Sequence, residues 1–164
     1  MRFTIISLVL PALALAAPAT FDVRAEKCAP TSYTLSDYTL AISNTSAYVN
    51  FNFKSNFADT TGIDDSVITG ANCNASGSSI PNSNVCSTPN RKLLFDLRAP
   101  QDQAHYQITH TWVCDGKTWM SGNDVTVGPL DCIDVGNGQR TCLLAAPQTI
   151  VPQNVRQICN TPTC

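Results

Sequence analysis

The chain has little charge and few of the side chains that catalysis uses most. Of its 164 residues only 13% are Asp, Glu, Lys or Arg, against about 25% in an average soluble domain. It has two histidines, one glutamate (Glu26) and no basic cluster longer than Arg91-Lys92. A phosphate backbone needs a basic footprint, so we expect no nucleic-acid partner. Composition also excludes a coiled coil, an acidic disordered tail and a multi-pass membrane protein.

The N-terminal segment predicts secretion. Arg2 precedes a mostly apolar run over residues 3–15, which ends in an A-x-A sequence. The run is shorter than the roughly 20 residues that a membrane helix needs, and Pro11 interrupts it. The pattern is typical of a secretory signal peptide, so we expect an extracellular protein with no membrane partner. The predicted organisation is a signal peptide over 1–16, an irregular arm over 17–27 and a single disulfide-rich β domain over 28–164.

Eight cysteines follow the predicted cleavage site, and an even number in a secreted chain predicts a disulfide framework. There is no C-x-x-C pair and no histidine at zinc-finger spacing, so we expect no metal site and no cofactor. Eight cysteines allow 105 connectivities, which leaves the pairing open at this point. The eight are Cys28, Cys73, Cys86, Cys114, Cys132, Cys142, Cys159 and Cys164.

Two N-x-S sequons begin at Asn44 and Asn74. They predict N-glycosylation of an extracellular surface. The alternative is that both are chance matches in an Asn-rich chain.

Apolar and polar residues alternate along much of the chain. In the segment 48–54, Val49, Phe51 and Phe53 point one way and polar residues the other, which predicts a half-buried strand. Segments 92–97 and 106–113 alternate in the same manner, and 149–151 is a short strand stopped by proline. The turns Asp115-Gly116 and Gly136-Asn137-Gly138 predict hairpins. With almost no helical periodicity, the predicted fold is an all-β antiparallel sandwich or barrel.

Residues 72–90 are rich in Asn, Ser, Gly and Pro. Such a segment buries too little apolar surface to offset its ordering entropy. We therefore expect a loop held by Cys73 and Cys86.

Candidate catalytic groups are sparse. His105 and His110 are five residues apart on a predicted strand and so point to opposite faces; the face that His110 shares with Ile108 and Trp112 predicts a hydrogen-bonded histidine at the edge of the core. There is no G-x-S-x-G motif, and all cysteines are expected to be paired. We expect no catalytic residue and no enzyme activity. The alternative is a small hydrolase with a cryptic Asp/His site, for which the candidate carboxylates are Asp96, Asp102, Asp115, Asp124, Asp131 and Asp134.

The larger aromatic side chains have two interpretations. Tyr48, Tyr106, Trp112 and Trp119 would form a binding platform for a sugar or a phenol if they were exposed on one face, as in a carbohydrate-binding module. More often such residues form the core. Their exposure decides between the two.

Three stretches carry a resemblance to a known family. They are Cys28-Ala29-Pro30 followed by the predicted strand 37–43, the polar segment between Cys73 and Cys86, and the glycine-containing hairpin between Cys132 and Cys142. Together they resemble the major-allergen family of Alternaria and related small secreted fungal proteins. The resemblance implies a β-barrel secreted by a fungus, and an allergen or effector that elicits plant defence. It also implies a host extracellular protein or a small phenolic ligand as partner, and no established enzymatic site.

The resemblance also bears on the cysteines. The family's first cysteine, matched by Cys28, is associated with an intermolecular disulfide, which makes a dimer one alternative. Because Cys114, Cys159 and Cys164 are additional to the family pattern, an internal bridge at Cys28 is the other. We predict the pairs Cys73–Cys86 and Cys132–Cys142, each closing a short loop with turn-forming residues, and we expect Cys28 to reach the C-terminal tail. The functional contact is expected on the two bridged segments, 74–85 and 133–141.

Overall fold

A computed structural model describes residues 27–159 of the chain. The predicted signal peptide, nearly all of the predicted arm, and Cys164 lie outside these residues. Within them are twelve strands, with 3₁₀ turns at Pro89–Arg91 and Gln101–Gln103. The strands are β1 Ser32–Ile42, β2 Ala47–Asn56, β3 Ile63–Asp64, β4 Ala71–Gly77, β5 Asn84–Val85, β6 Leu93–Leu97, β7 His105–Cys114, β8 Lys117–Thr126, β9 Leu130–Gly136, β10 Gln139–Leu144, β11 Gln148–Ile150 and β12 Arg156–Gln157.

The strands form two separate antiparallel sheets of six strands each. In sheet A the order is β4-β2-β1-β10-β9, and β11 pairs with the first half of β1. In sheet B the order is β12-β8-β7-β6-β5, and β3 pairs with the end of β7. The edges of one sheet do not pair with those of the other within residues 27–159. The predicted all-β fold is therefore confirmed as a sandwich rather than the closed barrel that the resemblance implies.

The core lies between the two sheets. The predicted alternation on β2 is confirmed, because Val49, Phe51 and Phe53 are all fully buried. Phe51 packs edge-on against Phe95 of sheet B, with ring centroids 5.1 Å apart. Across the same interface the hydroxyls of Tyr38 and Tyr106 are 2.8 Å apart. Burial of apolar side chains at about 25 cal/mol per Å² is the main force holding the two sheets together.

Both predicted hairpins are present. Asp115 and Gly116, with φ of 49° and 75°, join β7 to β8. This left-handed pair matches the twist of the strands, and glycine and aspartate tolerate it. Asn137 and Gly138, with φ of 52° and 72°, join β9 to β10 in the same way.

The disulfides confirm two predicted pairs and correct a third. Cys73 is bonded to Cys86 and Cys132 to Cys142, but Cys28 is bonded to Cys114 and not to the C-terminal tail.

A small second core at the end of β7 explains the difference. The indole Nε1 of Trp112 donates a 2.9 Å hydrogen bond to the carbonyl of Cys28, and Lys27 forms an ion pair with Asp115 at 3.2 Å. Cys28 is therefore docked beside Cys114 and has no thiol for an intermolecular bridge. Cys159 is disulfide-bonded as well.

The prediction that residues 72–90 form a loop is wrong in its first part. Ala71–Gly77 is strand β4, paired with β2 along seven residues. Ala71, Cys73 and Ala75 are buried while Asn72 and Asn74 face outward. The alternation of β4 is hard to recognise in the sequence because its inward-facing residues are small.

Candidate functional site

Exposed apolar side chains are concentrated on the β9–β10 hairpin. Ile133 and Val135 are 66% and 62% exposed, and Leu143 on the neighbouring strand is 46% exposed. They share the outer face of sheet A because Ile133 pairs with Thr141 and the side chains alternate. The predicted loop 133–141 is thus a strand pair and turn that presents apolar groups to solvent.

A groove lies beside these residues at the same end of sheet A. It has a volume of about 370 Å³ and is bounded by the ends of β1 and β4, the start of β2 and the β9–β10 hairpin. The volume is within the range typical of small-ligand sites, about 300–1,000 Å³. We call it the hairpin groove; its walls include Ala41, Tyr48, Ser76, Val135, Arg140 and Thr141.

Strand register brings residues from five strands together in the hairpin groove. Tyr48 pairs with Ala41 on one side and with Ser76 on the other. Because Ala41 is small, the ring of Tyr48, which is 42% exposed, stands beside a depression. The lining also includes polar side chains, those of Ser43, Ser46, Ser76 and Arg140.

The walls of the hairpin groove are held by local contacts. In the β1–β2 turn, the backbone N–H of Ser43 donates to the carbonyl of Ser46 at 2.7 Å and the two hydroxyls are 2.8 Å apart. The hairpin is closed by the Cys132–Cys142 disulfide between directly paired residues. Its tip packs on the adjacent turn so closely that a Cβ at Gly138 would lie 2.5 Å from Asn44 Oδ1.

Charges on the hairpin are partly paired. Arg140 contacts Asp134 across the two strands at 3.1 Å, whereas Asp131 has no ion-pair partner among the described residues.

Both sequon asparagines are exposed on sheet A: Asn44 lies at the β1–β2 turn, and Asn74 on β4 donates a hydrogen bond to Asn72 at 2.9 Å. Their predicted glycosylation stays a prediction.

A second cluster of chemically active side chains is buried between the sheets. The Nε2 of His110 is 2.9 Å from Asp65 Oδ1, and its Nδ1 is 3.1 Å from the hydroxyl of Tyr33. That hydroxyl is 2.7 Å from Ser121 Oγ. The predicted placement of His110 at the core is confirmed, and its side chain and that of Asp65 have no exposed surface.

Donor and acceptor accounting fixes one end of this hydrogen-bonded cluster. Asn123 donates Nδ2 to the carbonyl of Ile108 at 3.2 Å and accepts from the N–H of Gln153 at 2.9 Å, which sets its amide orientation. Its other N–H therefore donates to Ser121, at 3.1 Å.

The Ser121 hydroxyl lies 2.7 Å from the hydroxyl of Tyr33, which in turn lies 3.1 Å from His110 Nδ1. At the other end of the cluster, His110 Nε2–H donates to the Asp65 carboxylate.

Asp65 is the charged member of the chain. Burial by itself would raise the pKa of this carboxyl, but hydrogen bonds from His110, from the hydroxyl of Ser55 and from the backbone N–H of Val67 hold the pKa below its usual range. Burial also raises the pKa of Tyr33, so its hydroxyl stays protonated. Every polar group in the cluster is satisfied internally, which is how a fold tolerates buried polarity.

The other histidine is on the opposite face, as predicted. His105 is hydrogen-bonded to Asp124 on the outer surface of sheet B. Asp124 is the only one of the six candidate carboxylates that is bonded to a histidine within the described chain.

Sequence reasoning missed Asp65 because it belongs to no strand and lies far from His110 along the chain. A doublet of aspartates, Asp64-Asp65, in an otherwise charge-poor segment was the available signal.

The predicted aromatic platform is not formed. Trp112, Trp119 and Tyr106 are buried, and Tyr48 alone of the four is exposed. The core interpretation is correct for those three, because they stand on the inner faces of β7 and β8. Without coplanar exposed rings on the described residues, a carbohydrate-binding module of that type has no support.

The described residues contain one cluster of metal-ligating atom types, formed by Cys28, Cys114 and Asp115. The two sulfurs are bonded to each other in a disulfide, so they are not thiolate ligands. Among residues 27–159 no helix has the length and apolarity needed to span a bilayer.

The fold and the site define a class: a disulfide-bridged antiparallel β sandwich that carries an apolar hairpin and a groove at one end. Two solved structures share this fold, both crystal structures of the Alternaria alternata allergen Alt a 1. One aligns with a TM-score of 0.52 over 90% of this chain and 99% of the allergen, and the other with 0.50 over 80% and 97%. Sequence identity is 15% in each case.

This chain thus has an Alt a 1-like fold, as the sequence resemblance predicts. No protein-family profile matches the sequence, and a comparison with curated proteins found no match either.

Proposed function

We propose that this protein is a secreted, allergen-like effector that acts by binding, without catalysis, a host extracellular protein or a small phenolic ligand at the hairpin groove. The observation that carries the proposal is the concentration of exposed apolar side chains at one end of sheet A. Apolar groups that stay in solvent on an otherwise polar surface mark interaction sites. Disulfides, which persist in oxidising compartments, support an extracellular location.

The geometry suits the two kinds of partner in different ways. A planar phenol would stack on the Tyr48 ring and hydrogen-bond to the serine hydroxyls or to Arg140 at the rim. A protein would cover the larger apolar strip formed by Ile133, Val135 and Leu143. Because the hairpin is bridged by a disulfide and supported by the adjacent turn, little ordering entropy is lost on binding.

The test compares two valines of similar exposure. Val135→Ser changes the groove, and Val151→Ser, a matched control, changes a similarly exposed valine just after β11. Both variants should unfold within about 0.5 kcal/mol of wild type because neither side chain is buried. Only Val135→Ser should weaken binding of 4-hydroxycinnamate, followed by fluorescence titration, and the host-cell response. Equal responses from the two variants would refute the proposal.

A small hydrolase is the second candidate, favoured by the chain from Asp65 through His110 to the hydroxyls of Tyr33 and Ser121. This order of acid, histidine and hydroxyl is the one that activates a nucleophile. Its burial opposes the role, because a substrate has no path to any of its atoms in the closed sandwich. If wild type hydrolysed RNA or cell-wall polymers and a folded His110→Gln variant did not, the hydrolase would replace the binding protein.

A further inference from the structure

A depression on the outer face of sheet B, away from the hairpin groove, has the features of a second binding site. Its volume is about 260 Å³ and its walls come from β7, β8, β12 and the segment before β12. We call it the sheet B groove. It is lined by Gln107, Thr109, Met120, Gly122, Asn154 and Arg156.

The floor of the sheet B groove is a glycine in the middle of a ten-residue strand. Gly122 of β8 lies opposite Thr109 of β7. The φ of Gly122 is not in the left-handed region that would require glycine. A glycine inside a strand costs about 0.5–1 kcal/mol relative to alanine, and it often marks a place where a ligand approaches the backbone. A Cβ here would meet only Gln107 Nε2 within 4 Å, at 3.3 Å, so the space above Gly122 is open.

One wall is rigidly attached to the floor. Gly122 N–H donates to the carbonyl of Gln153 at 3.1 Å, and Asn154 Nδ2 donates to the carbonyl of Gly122 at 2.9 Å. The side chain of Gln153 makes two more bonds, to the N–H and the carbonyl of Asp124. The wall is therefore set before a ligand binds, which lowers the entropic cost of binding.

Three of the four polar side chains that line the sheet B groove are uncommitted. Within residues 27–159 the side chains of Gln107, Thr109 and Arg156 have no hydrogen-bond or ion-pair partner. The two aspartates in register with Gln107 do not line the groove and already have hydrogen-bond partners: Asp96 accepts from the N–H of Ser83, and Asp124 is bonded to His105. The groove thus presents one positive charge together with an amide and a hydroxyl.

We propose that the sheet B groove binds a small hydroxylated carboxylate of monosaccharide size. The guanidinium of Arg156 takes the carboxylate, since its planar fork matches two carboxylate oxygens. Gln107 and Thr109 provide donors and acceptors for hydroxyl groups, and Met120 provides an apolar contact for one face of a ring. A uronic acid has this combination of groups.

The test is an NMR titration of the ¹⁵N-labelled protein with D-galacturonic acid. Backbone signals of Thr109, Gly122 and Arg156 should shift, and that of Val135 in the hairpin groove should not. D-Galactose, which lacks the carboxylate, and acetate, which lacks the ring, should both bind more weakly. Acetate binding as tight as that of the uronate would overturn the assigned roles of Gln107 and Thr109.

Variants separate the proposed contacts from general charge effects. Arg156→Gln should weaken uronate binding by about tenfold or more, because it removes both charge-assisted hydrogen bonds to the carboxylate. Gly122→Ala should weaken it by filling the floor without unfolding the protein, because the nearest atom is the end of a flexible side chain. Lys54→Gln removes a positive charge from an exposed position on sheet A and should not change uronate binding. Absence of any shift with the uronate, or equal shifts in all three variants, would overturn the proposal.

Discussion

The buried Asp65–His110 pair and the exposed His105–Asp124 pair allow a controlled test of what the polar cluster contributes. Asp65→Ala would leave three buried donors without an acceptor: His110 Nε2–H, the Ser55 hydroxyl and the Val67 N–H. Each orphaned donor costs about 1–3 kcal/mol. Removal of a buried charge offsets part of the sum, so we expect a loss of about 3–5 kcal/mol in the free energy of unfolding.

The matched control is Asp124→Ala, which breaks the same chemical pair at the surface. Solvent replaces the lost partner there, so the expected loss is under about 1 kcal/mol. The free energy of unfolding of a domain is typically about 5–15 kcal/mol, so the loss expected for Asp65→Ala is a large share of it. If Asp65→Ala does not fold, Asp65→Asn takes its place. Urea unfolding of all three measures the difference. If Asp65→Ala and Asp124→Ala were equally destabilised, the cluster would not be acting as described.

The same pair predicts a pH dependence. The pKa of Asp65 is lowered in the folded protein, whereas the pKa of an unfolded aspartate is about 3.9. The unfolded chain therefore takes up the proton first as the pH falls, and the stability from this group is present above about pH 4 and is lost through the lower folded pKa. Wild type should lose stability below pH 4 more steeply than Asp65→Asn. Parallel profiles would contradict the assignment.

Three further predictions concern bridges, aromatics and sequons. Removing the bridge between Cys28 and Cys114, with serine at both positions, should cost about 4–5 kcal/mol in urea unfolding, against about 3 for the hairpin bridge, because it closes a much longer loop. Trp112 and Trp119 should emit as buried indoles and resist acrylamide quenching until the protein unfolds, and strong quenching in the native state would contradict the fold. Expression in a eukaryotic secretory host should add glycans at both exposed sequons, and a mass unchanged by glycosidase treatment would show that they are chance matches.

The strands that could be predicted from the sequence are those with large side chains. Phe51 and Phe53 against Asn50 and Asn52 make the alternation of β2 plain, because a two-residue period is a local property of an extended chain. The turns Asp115-Gly116 and Asn137-Gly138 are equally local, since the left-handed backbone they require restricts the residue types. Strand β4 was missed because its inward residues are alanine and cysteine, which carry little periodic signal.

Contacts between residues far apart in the sequence could not be predicted from local patterns. The sequence predicts that Cys28 reaches the C-terminal tail, but the fold places it beside Cys114 at the end of β7, where Trp112 donates a hydrogen bond to its carbonyl. Asp65 likewise meets His110 across 45 positions of chain, and no spacing rule links them.

The two grooves also could not be predicted from the sequence, although the fold class could. Composition, cysteines and alternation determined that the chain is a charge-poor, disulfide-bridged all-β protein. The grooves exist because strand register sets Ala41 beside Tyr48 in sheet A and Gly122 beside Thr109 in sheet B. Register depends on which strands pair and where, so the tertiary structure alone decided which small residues lie next to large ones and hence where a ligand has room.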